Sequence, residues 1–372
     1  MIDEQLERWQ QAALIDAATA ERIRRFEDTR GAPTRLRWPV LIALALGGLM
    51  LAAGVLLVVA AHWDDLAPPA RLGLLLGLIA LFHGAGSTVA DRFPPLATTL
   101  HAVGTAALGA SIFLAGQTYH LEASWAQGFL LWAVGAWAGY QLLRSWPQLL
   151  FAAILTPVWL AAEWADRIES LGHASPAAPA GGLLLLSLVY LMADARGRRS
   201  ADRTTLAIAG AVALLPLGVF VALLGHEPWG RSQADLPSAV RAFCWAIALV
   251  APLALAAWLR RWEAWLAAVG ALWVIAGVNL GPHPGVWIYL WGATGAVGLT
   301  ATGVFDGSRR RINLGMAAFA LTVVVFYFSN VLDKLGRAAS LLTGGALFLV
   351  LGWLLDQLRR RLVHSTEGTE VA

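Results

Sequence analysis

Charged residues are scarce in this chain. Lys, Arg, Asp and Glu together make up 14% of its 372 residues, whereas a soluble domain carries about 25%. Lysine occurs once, at Lys334, and cysteine once, at Cys244, so an intramolecular disulfide and a cysteine-ligated metal centre are both excluded. Because so few charges cannot cover a water-solvated surface, most of the chain must be solvated by lipid. Cys244 lies within an apolar run, and we expect a buried, inert thiol there.

Long apolar runs take the place of the missing charges. Hydrophobic residues make up 58% of the chain, in continuous runs of about 17–24 residues, which is the length of a membrane-spanning helix rather than of a barrel strand. The sequence therefore predicts an all-α fold, a polytopic transmembrane helical bundle of about twelve spans. We place the spans near 38–61, 70–90, 95–118, 125–143, 147–164, 178–194, 204–225, 238–258, 264–280, 285–304, 312–330 and 338–356.

The distribution of basic residues supports this count and predicts its orientation. With the N-terminus in the cytoplasm, 21 of the 27 basic residues fall in cytoplasmic segments and six in outer segments, as the positive-inside rule requires. The six outer residues are Arg71, Arg167, Arg231, Arg241, Lys334 and Arg337. Since one missed or extra span would scramble this alternation, we predict an even number of spans with both termini in the cytoplasm.

The segment before the first span has a helical pattern of its own. Leu6, Trp9 and Ala13 recur at helical spacing, and Asp16 occupies an N-cap position before a second helical stretch. The pattern predicts three parts: a small cytoplasmic amphipathic helical hairpin over 1–37, a transmembrane domain over 38–358, and a short basic, then polar tail over 359–372. The hairpin either packs on the protein's own cytoplasmic face or docks a membrane or cytoplasmic protein through residues 1–30.

Two histidines lie deeper in the membrane than any acidic residue. His83 and His101 are each roughly 10 Å from the inner boundary of their spans, at a rise of 1.5 Å per residue. A short turn joins the two spans, and Ser87 and Thr105 lie at helical distances from the histidines. Ionisable groups are costly inside a bilayer. These four residues therefore predict either a polar pocket or proton relay on the cytoplasmic half, or a neutral histidine pair that bridges two helices by hydrogen bonds.

A second polar cluster is predicted at the outer ends of the first helices. Its members are His62, Asp64, Asp65, Arg71, Gln117, His120 and Glu122. Histidine and carboxylate together can ligate a divalent metal, but no fixed ligand spacing is present. We therefore read them first as solvated loop residues, with Arg71 paired to Asp64 or Asp65. We expect no catalytic residues, no metal, no cofactor and no nucleic-acid partner.

Four stretches of the chain resemble a known family. They are "LERWQQAALIDAATAERIRRFE", "AAHWDDLAPPARL", "IFLAGQTYHLEASWAQGFLLWA" and "RINLGMAAFALTVVVFYFSNVLDKLGR" with its following "LRRRL". They resemble the bacterial membrane proteins called domain of unknown function 2157, over residues 1–145 and again over 305–362. The resemblance implies a cytoplasmic helical N-terminal segment and a polytopic body in the bacterial cytoplasmic (inner) membrane. It brings no established activity.

Two functions of different class remain open from the sequence. The first is a transporter-like protein for a small or lipidic solute, which the twelve spans and the histidine pair favour. The second is a non-catalytic scaffold or envelope-complex subunit, which the absence of a carboxylate near the membrane midplane favours. An enzyme acting on lipid-linked substrates is the least favoured of the three, because the outer polar cluster alone supports it.

Overall fold

The computed structural model describes residues 14–29, 66–120, 124–170, 177–194, 200–224, 237–280 and 285–330, together with isolated positions outside these ranges. Within them every regular element is a helix, as the sequence predicts. The α-helices are α1 (Ala17–Thr29), α2 (Pro68–Val89), α3 (Pro94–Thr118), α4 (Trp125–Leu143), α5 (Trp146–Ser170), α6 (Ala177–Leu191), α7 (Ala201–Leu224), α8 (Ser238–Arg260), α9 (Trp265–Val278), α10 (Trp287–Phe305) and α11 (Arg309–Asn330). A short 3₁₀ helix, Arg261–Ala264, connects α8 to α9.

Seven helical stretches in the described part of the chain are long and apolar enough to cross a membrane. One of them, Ser238–Val278, contains α8, the 3₁₀ helix and α9, so it covers two of the predicted spans. Helix α4 has 19 residues but lies outside this set, and α6 is a shorter apolar helix of 15 residues. The count of about twelve spans therefore stays a prediction. Most of the predicted spans 38–61 and 338–356, and the predicted domain boundaries at 37 and 358, lie outside the described residues.

The chain divides into two compact units, Met1–Gly104 and Thr105–Ala372, and the division falls within α3. In the first unit, Gly48 of the predicted first span faces α3. A Cβ built on Gly48 would lie 2.8 Å from the Thr99 methyl group. Close approach at a small residue is the usual means by which helices associate in lipid, where the hydrophobic effect does not drive them together.

Helix α6 is the core of the second unit. It packs against α7, α8 and α9, and eleven of its fifteen residues are buried, so little of it is available to lipid. Leu184 and Leu185 are fully buried in the main apolar cluster. Gly210 of α7 approaches the α6 backbone so closely that a side chain there would meet the Ser187 carbonyl oxygen. A helix enclosed in this way need not span the bilayer by itself, which accounts for its short length.

The N-terminal helix α1 begins where the sequence predicts. The backbone N–H of Thr19 donates to Asp16 Oδ1 at 2.9 Å, which is the N-cap bond. Ala20 is buried on one side of the helix, and Leu6 is also fully buried. Within the same helix Glu21 pairs with Arg24 at 2.9 Å. The first half of the predicted hairpin lies largely outside the described residues.

Candidate functional site

The predicted histidine pair forms in the first unit. His83 of α2 and His101 of α3 approach with their Nδ1 atoms 3.0 Å apart and their ring centroids 5.3 Å apart. At this separation one Nδ1 must carry the proton and the other must accept it, because two protonated or two bare nitrogens repel each other. His101 is buried, and His83 is partly exposed. The contact therefore ties two helices together through one shared proton.

Each histidine ring lies over a glycine of the other helix. A Cβ built on Gly104 would be 2.7 Å from the His83 ring, and one built on Gly86 would be 2.9 Å from the His101 ring. Both glycines follow a histidine by three residues in their own helix. The contact between the two antiparallel helices is therefore reciprocal: the histidine of each helix packs against the glycine of the other, and each glycine leaves the space that a ring fills.

The other two predicted members of this site bond elsewhere. The Ser87 hydroxyl donates to the His83 carbonyl oxygen at 2.9 Å, within its own helix. In the second unit, the Thr105 hydroxyl donates to Gln148 Oε1 at 2.8 Å, and the fully buried Gln148 side chain lies against Gly139. The Thr105 carbonyl oxygen also accepts the indole N–H of Trp132 at 2.8 Å. Sequence reasoning missed this interhelical network because Gln148 lies next to a predicted span end.

The predicted outer cluster is described only in part. Arg71 Nε donates to the Leu66 carbonyl oxygen at 2.8 Å, and its predicted pairing with Asp64 or Asp65 lies outside the described residues. His62 and Glu122 lie outside them as well. In the second unit, Gln117 and His120 are exposed, and His120 adopts a left-handed backbone conformation with φ 49°. Among the described residues no group of three His, Cys, Asp or Glu side chains is placed to hold a metal ion.

The second unit contains a large apolar groove of about 940 Å³. Helices α7, α9, α10 and α11 line it, together with Leu188 and Met192 of the α6 segment. Along α10 the lining runs from Ile288 to Thr302, a length of about 20 Å at 1.5 Å per residue. Its volume is at the upper end of the range for ligand pockets. The groove ends at Met192 and Thr302 on one side and at Tyr289 and Asn330 on the other.

Two tryptophans form one wall of the groove. Trp273 and Trp291 stack with centroids 4.3 Å apart and an interplanar angle of 5°. The Trp273 indole N–H donates to the Trp291 carbonyl oxygen at 2.9 Å, and the Trp291 indole N–H donates to the Trp273 carbonyl oxygen at 2.8 Å. Each indole lies over a glycine of the other helix, Gly295 or Gly277. No prediction made from the sequence includes this interior pair.

A buried ionic cluster lies at the Thr302 end of the groove. Asp306 is 4% exposed and pairs with Arg260 Nη2 at 2.8 Å and with Arg311 Nη2 at 2.5 Å. Arg260 also bonds Glu263 and donates to the Met192 carbonyl oxygen at 3.2 Å. The distribution of basic residues predicts that these arginines lie in cytoplasmic loops. Their burial depends on the packing of α6, α8, α10 and α11, which no local pattern records.

The N-terminal part of the chain is similar to one known family. Residues 7–149 match the family described as predicted membrane protein, domain of unknown function 2157 (DUF2157). This match confirms the family resemblance of the N-terminal stretches, and it includes both His83 and His101. The resemblance over 305–362 lies outside the match and stays a prediction. No curated protein and no solved structure matches the chain.

Proposed function

We propose that this chain, whose residues 7–149 match the DUF2157 membrane-protein family, binds a long apolar molecule of the lipid class in the groove of its second unit. The observation that carries the proposal is the groove itself, about 940 Å³ in volume and lined almost throughout by apolar side chains. A site of this kind offers dispersion contacts along its length and few directional bonds. It therefore selects an extended hydrocarbon over a polar solute.

The openness of the groove toward lipid supports this choice of ligand. Several of its lining side chains are exposed, among them Val219, Leu223, Val269, Leu321 and Val325. In a membrane protein such apolar side chains face hydrocarbon, so a lipid chain reaches them without crossing water. The lined length of about 20 Å exceeds one leaflet of about 15 Å and is less than the hydrocarbon core of about 30 Å.

Photo-crosslinking tests the proposal directly. The purified chain is labelled with a phospholipid that carries a diazirine in its acyl chain, and the modified peptides are mapped by mass spectrometry. We expect saturable labelling of α7, α10 and α11 that an excess of unlabelled lipid suppresses. The groove can be filled at Gly218 and Gly298, where a built Cβ meets nothing within 4 Å. The variant Gly218→Phe with Gly298→Phe should lose about tenfold in labelling.

A matched control separates groove filling from a general effect of bulk. Gly77 of α2 is exposed, lies outside the groove and has nothing within 4 Å of a built Cβ, so Gly77→Phe should label like wild type. Equal labelling of all variants would overturn the proposal. So would a disulfide between Leu321→Cys and a cysteine placed in residues 338–356, since the chain's own apolar segment would then occupy the groove.

A more specific proposal is that the protein transports the lipid that it binds. The histidine pair supports it, because an ionisable contact between two helices can respond to a proton during a transport cycle. The assay is lipid movement between leaflets in proteoliposomes, compared between wild type and the double phenylalanine variant. A scaffold docked through residues 1–30 is less well supported, since Leu6 and Ala20 are buried by the chain itself. Deletion of residues 1–30 should leave any co-purifying partner bound if the segment is only a cap.

A further inference from the structure

The ionic cluster lies next to the groove. Two groove-lining residues have their carbonyl oxygens bonded by the cluster: Met192 accepts from Arg260, and Thr302 accepts from the backbone N–H of Asp306 at 3.1 Å. On α11, Arg311 precedes the groove-lining residues Ala318, Thr322 and Val325 by seven, eleven and fourteen positions. That spacing places all four on one helical face. The groove-lining face of α11 therefore leads to a buried guanidinium.

Arg311 has donors that the described residues do not satisfy. It is 1% exposed, and its Nη2 bonds Asp306 and the Asp194 carbonyl oxygen. Its Nε and Nη1 atoms are buried and have no hydrogen-bond partner in the described part of the chain, and the same holds for Nη1 of Arg310. Buried donors without partners are rare in folded proteins, since each loses its hydration without replacement. An oxygen atom of a bound ligand would satisfy these donors.

The charges at this end of the groove favour an anion. Three guanidiniums, those of Arg203, Arg260 and Arg311, bond carbonyl oxygens or carboxylates where α6 ends. Three carboxylates oppose them in this region, from Asp194, Glu263 and Asp306. Arg310, at the start of α11 and half-buried, adds a positive charge to this otherwise balanced set. Guanidinium groups bind phosphate oxygens through paired, charge-assisted hydrogen bonds.

We propose that the groove holds an anionic phospholipid whose phosphate accepts hydrogen bonds from Arg310 and Arg311 while its acyl chains lie along α10 and α11. This inference rests on the proposed function and adds the class of headgroup. Phosphate is the shared chemistry of a lipid headgroup and of a free anion. We commit to the lipid, because the cationic end and the apolar groove are joined through Met192 and Thr302.

The test is native mass spectrometry of the full chain in detergent, titrated separately with phosphatidylglycerol and with phosphatidylcholine. We expect wild type to retain phosphatidylglycerol at an apparent Kd about tenfold below that for phosphatidylcholine, because both lipids carry the phosphate but the quaternary ammonium of phosphatidylcholine cancels its charge and is repelled by the arginines. Arg310→Gln should bring the two values together. Arg309→Gln is the matched control: it removes the same charge from the neighbouring, exposed position and should keep the preference.

A second variant is chosen to change the cluster without unfolding the protein. Arg311→Lys keeps the positive charge beside Asp306 but lacks the two donors without partners, so the preference should fall severalfold while the chain still binds lipid. If wild type binds both lipids equally, the headgroup inference is wrong and the lipid groove stands. If neither lipid binds, both proposals are wrong. If inorganic phosphate displaces bound phosphatidylglycerol from the chain, the site takes a free anion and the lipid assignment is wrong.

Discussion

The contact between His83 and His101 depends on two glycines as much as on the imidazoles. Gly86 and Gly104 leave the space in which the rings lie, and the 3.0 Å separation of the Nδ1 atoms holds the rings there. A hydrogen bond between membrane helices contributes about 0.6–2 kcal/mol. The pair therefore contributes one modest hydrogen bond between α2 and α3. An extra proton would break this bond, because both facing nitrogens would then carry a hydrogen.

Replacing Gly104 tests this arrangement at a single residue. The methyl group of Gly104→Ala would lie 2.7 Å from the His83 ring, so the ring must move and the contact with His101 must lengthen. We expect a loss of about 1–3 kcal/mol in the free energy of unfolding, the usual effect of overpacking. Equilibrium unfolding in mixed detergent and SDS micelles measures it. Gly84→Ala adds the same methyl group where nothing lies within 4 Å, and equal losses for both variants would contradict the prediction.

At the scale of the element, an indole over a glycine is a recurrent way of joining two helices in this protein. Trp273 and Trp291 do so reciprocally, and Trp132 of α4 does the same on Gly109 of α3. In each case the indole N–H reaches the carbonyl oxygen four residues before the glycine. Because a glycine has no side chain to cover the backbone, an aromatic ring can approach a main-chain acceptor inside the membrane, where water is not available to satisfy its N–H.

Helix α1 should depend on pH through its cap. Hydrogen bonds from the hydroxyl and backbone N–H of Thr19 lower the pKa of the Asp16 carboxyl below its ordinary value. Because the pKa of Asp16 is lower in the helix than in the unfolded chain, the ionised carboxylate stabilises the helix at pH values above the unfolded pKa. This stabilisation is lost as the pH falls through the pKa of the folded state. We expect amide hydrogen exchange in the first turn of α1, corrected for its intrinsic rate, to increase between about pH 6 and about pH 3. Asp16→Asn keeps a hydrogen-bond acceptor without the charge and should remove this dependence on pH. If the exchange of the variant rose with falling pH as in wild type, the prediction would be wrong.

At the scale of the second unit, the ionic cluster holds four helices together. Arg260 ends α8, Asp306 follows α10, and Arg311 lies in the first turn of α11. Their bonds reach carbonyl oxygens just after the end of α6. One buried carboxylate thus stands between two buried guanidiniums. Such a group need not stabilise the fold relative to apolar packing, but removal of one partner leaves a charge that nothing compensates.

Asp306→Asn should therefore be severely destabilising. We expect a loss of about 3–5 kcal/mol in the free energy of unfolding, because Arg260 and Arg311 stay buried and charged without their shared carboxylate. Glu163→Gln is the matched control. It breaks a pair with Arg167, whose side chain is 77% exposed, so the loss should not exceed about 1 kcal/mol. Equilibrium unfolding of the two variants measures the difference, and similar losses would show that the cluster is not a structural centre.

The sequence alone determined the class of the protein and most helix positions. Composition and run length sufficed for an all-helical membrane protein, since a helix satisfies its backbone locally and its length follows from the thickness of the bilayer. The N-cap at Asp16 and the contact between His83 and His101 were likewise predicted from local patterns. The family that matches residues 7–149 was expected from a resemblance. The 3₁₀ helix that separates α8 from α9 is a connection that apolar runs alone do not specify.

Only the tertiary structure decided which faces of the helices meet. The helices are apolar on nearly every side, so their sequences hold little amphipathic signal for an inward face. The Trp273–Trp291 stack, the groove beside it and the burial of Arg260 and Arg311 depend on helix rotation and on glycines that permit close approach. These are properties of helix pairs, whereas the spans are properties of single segments. That difference is the physical reason why the membrane fold could be read from the sequence and the candidate site could not.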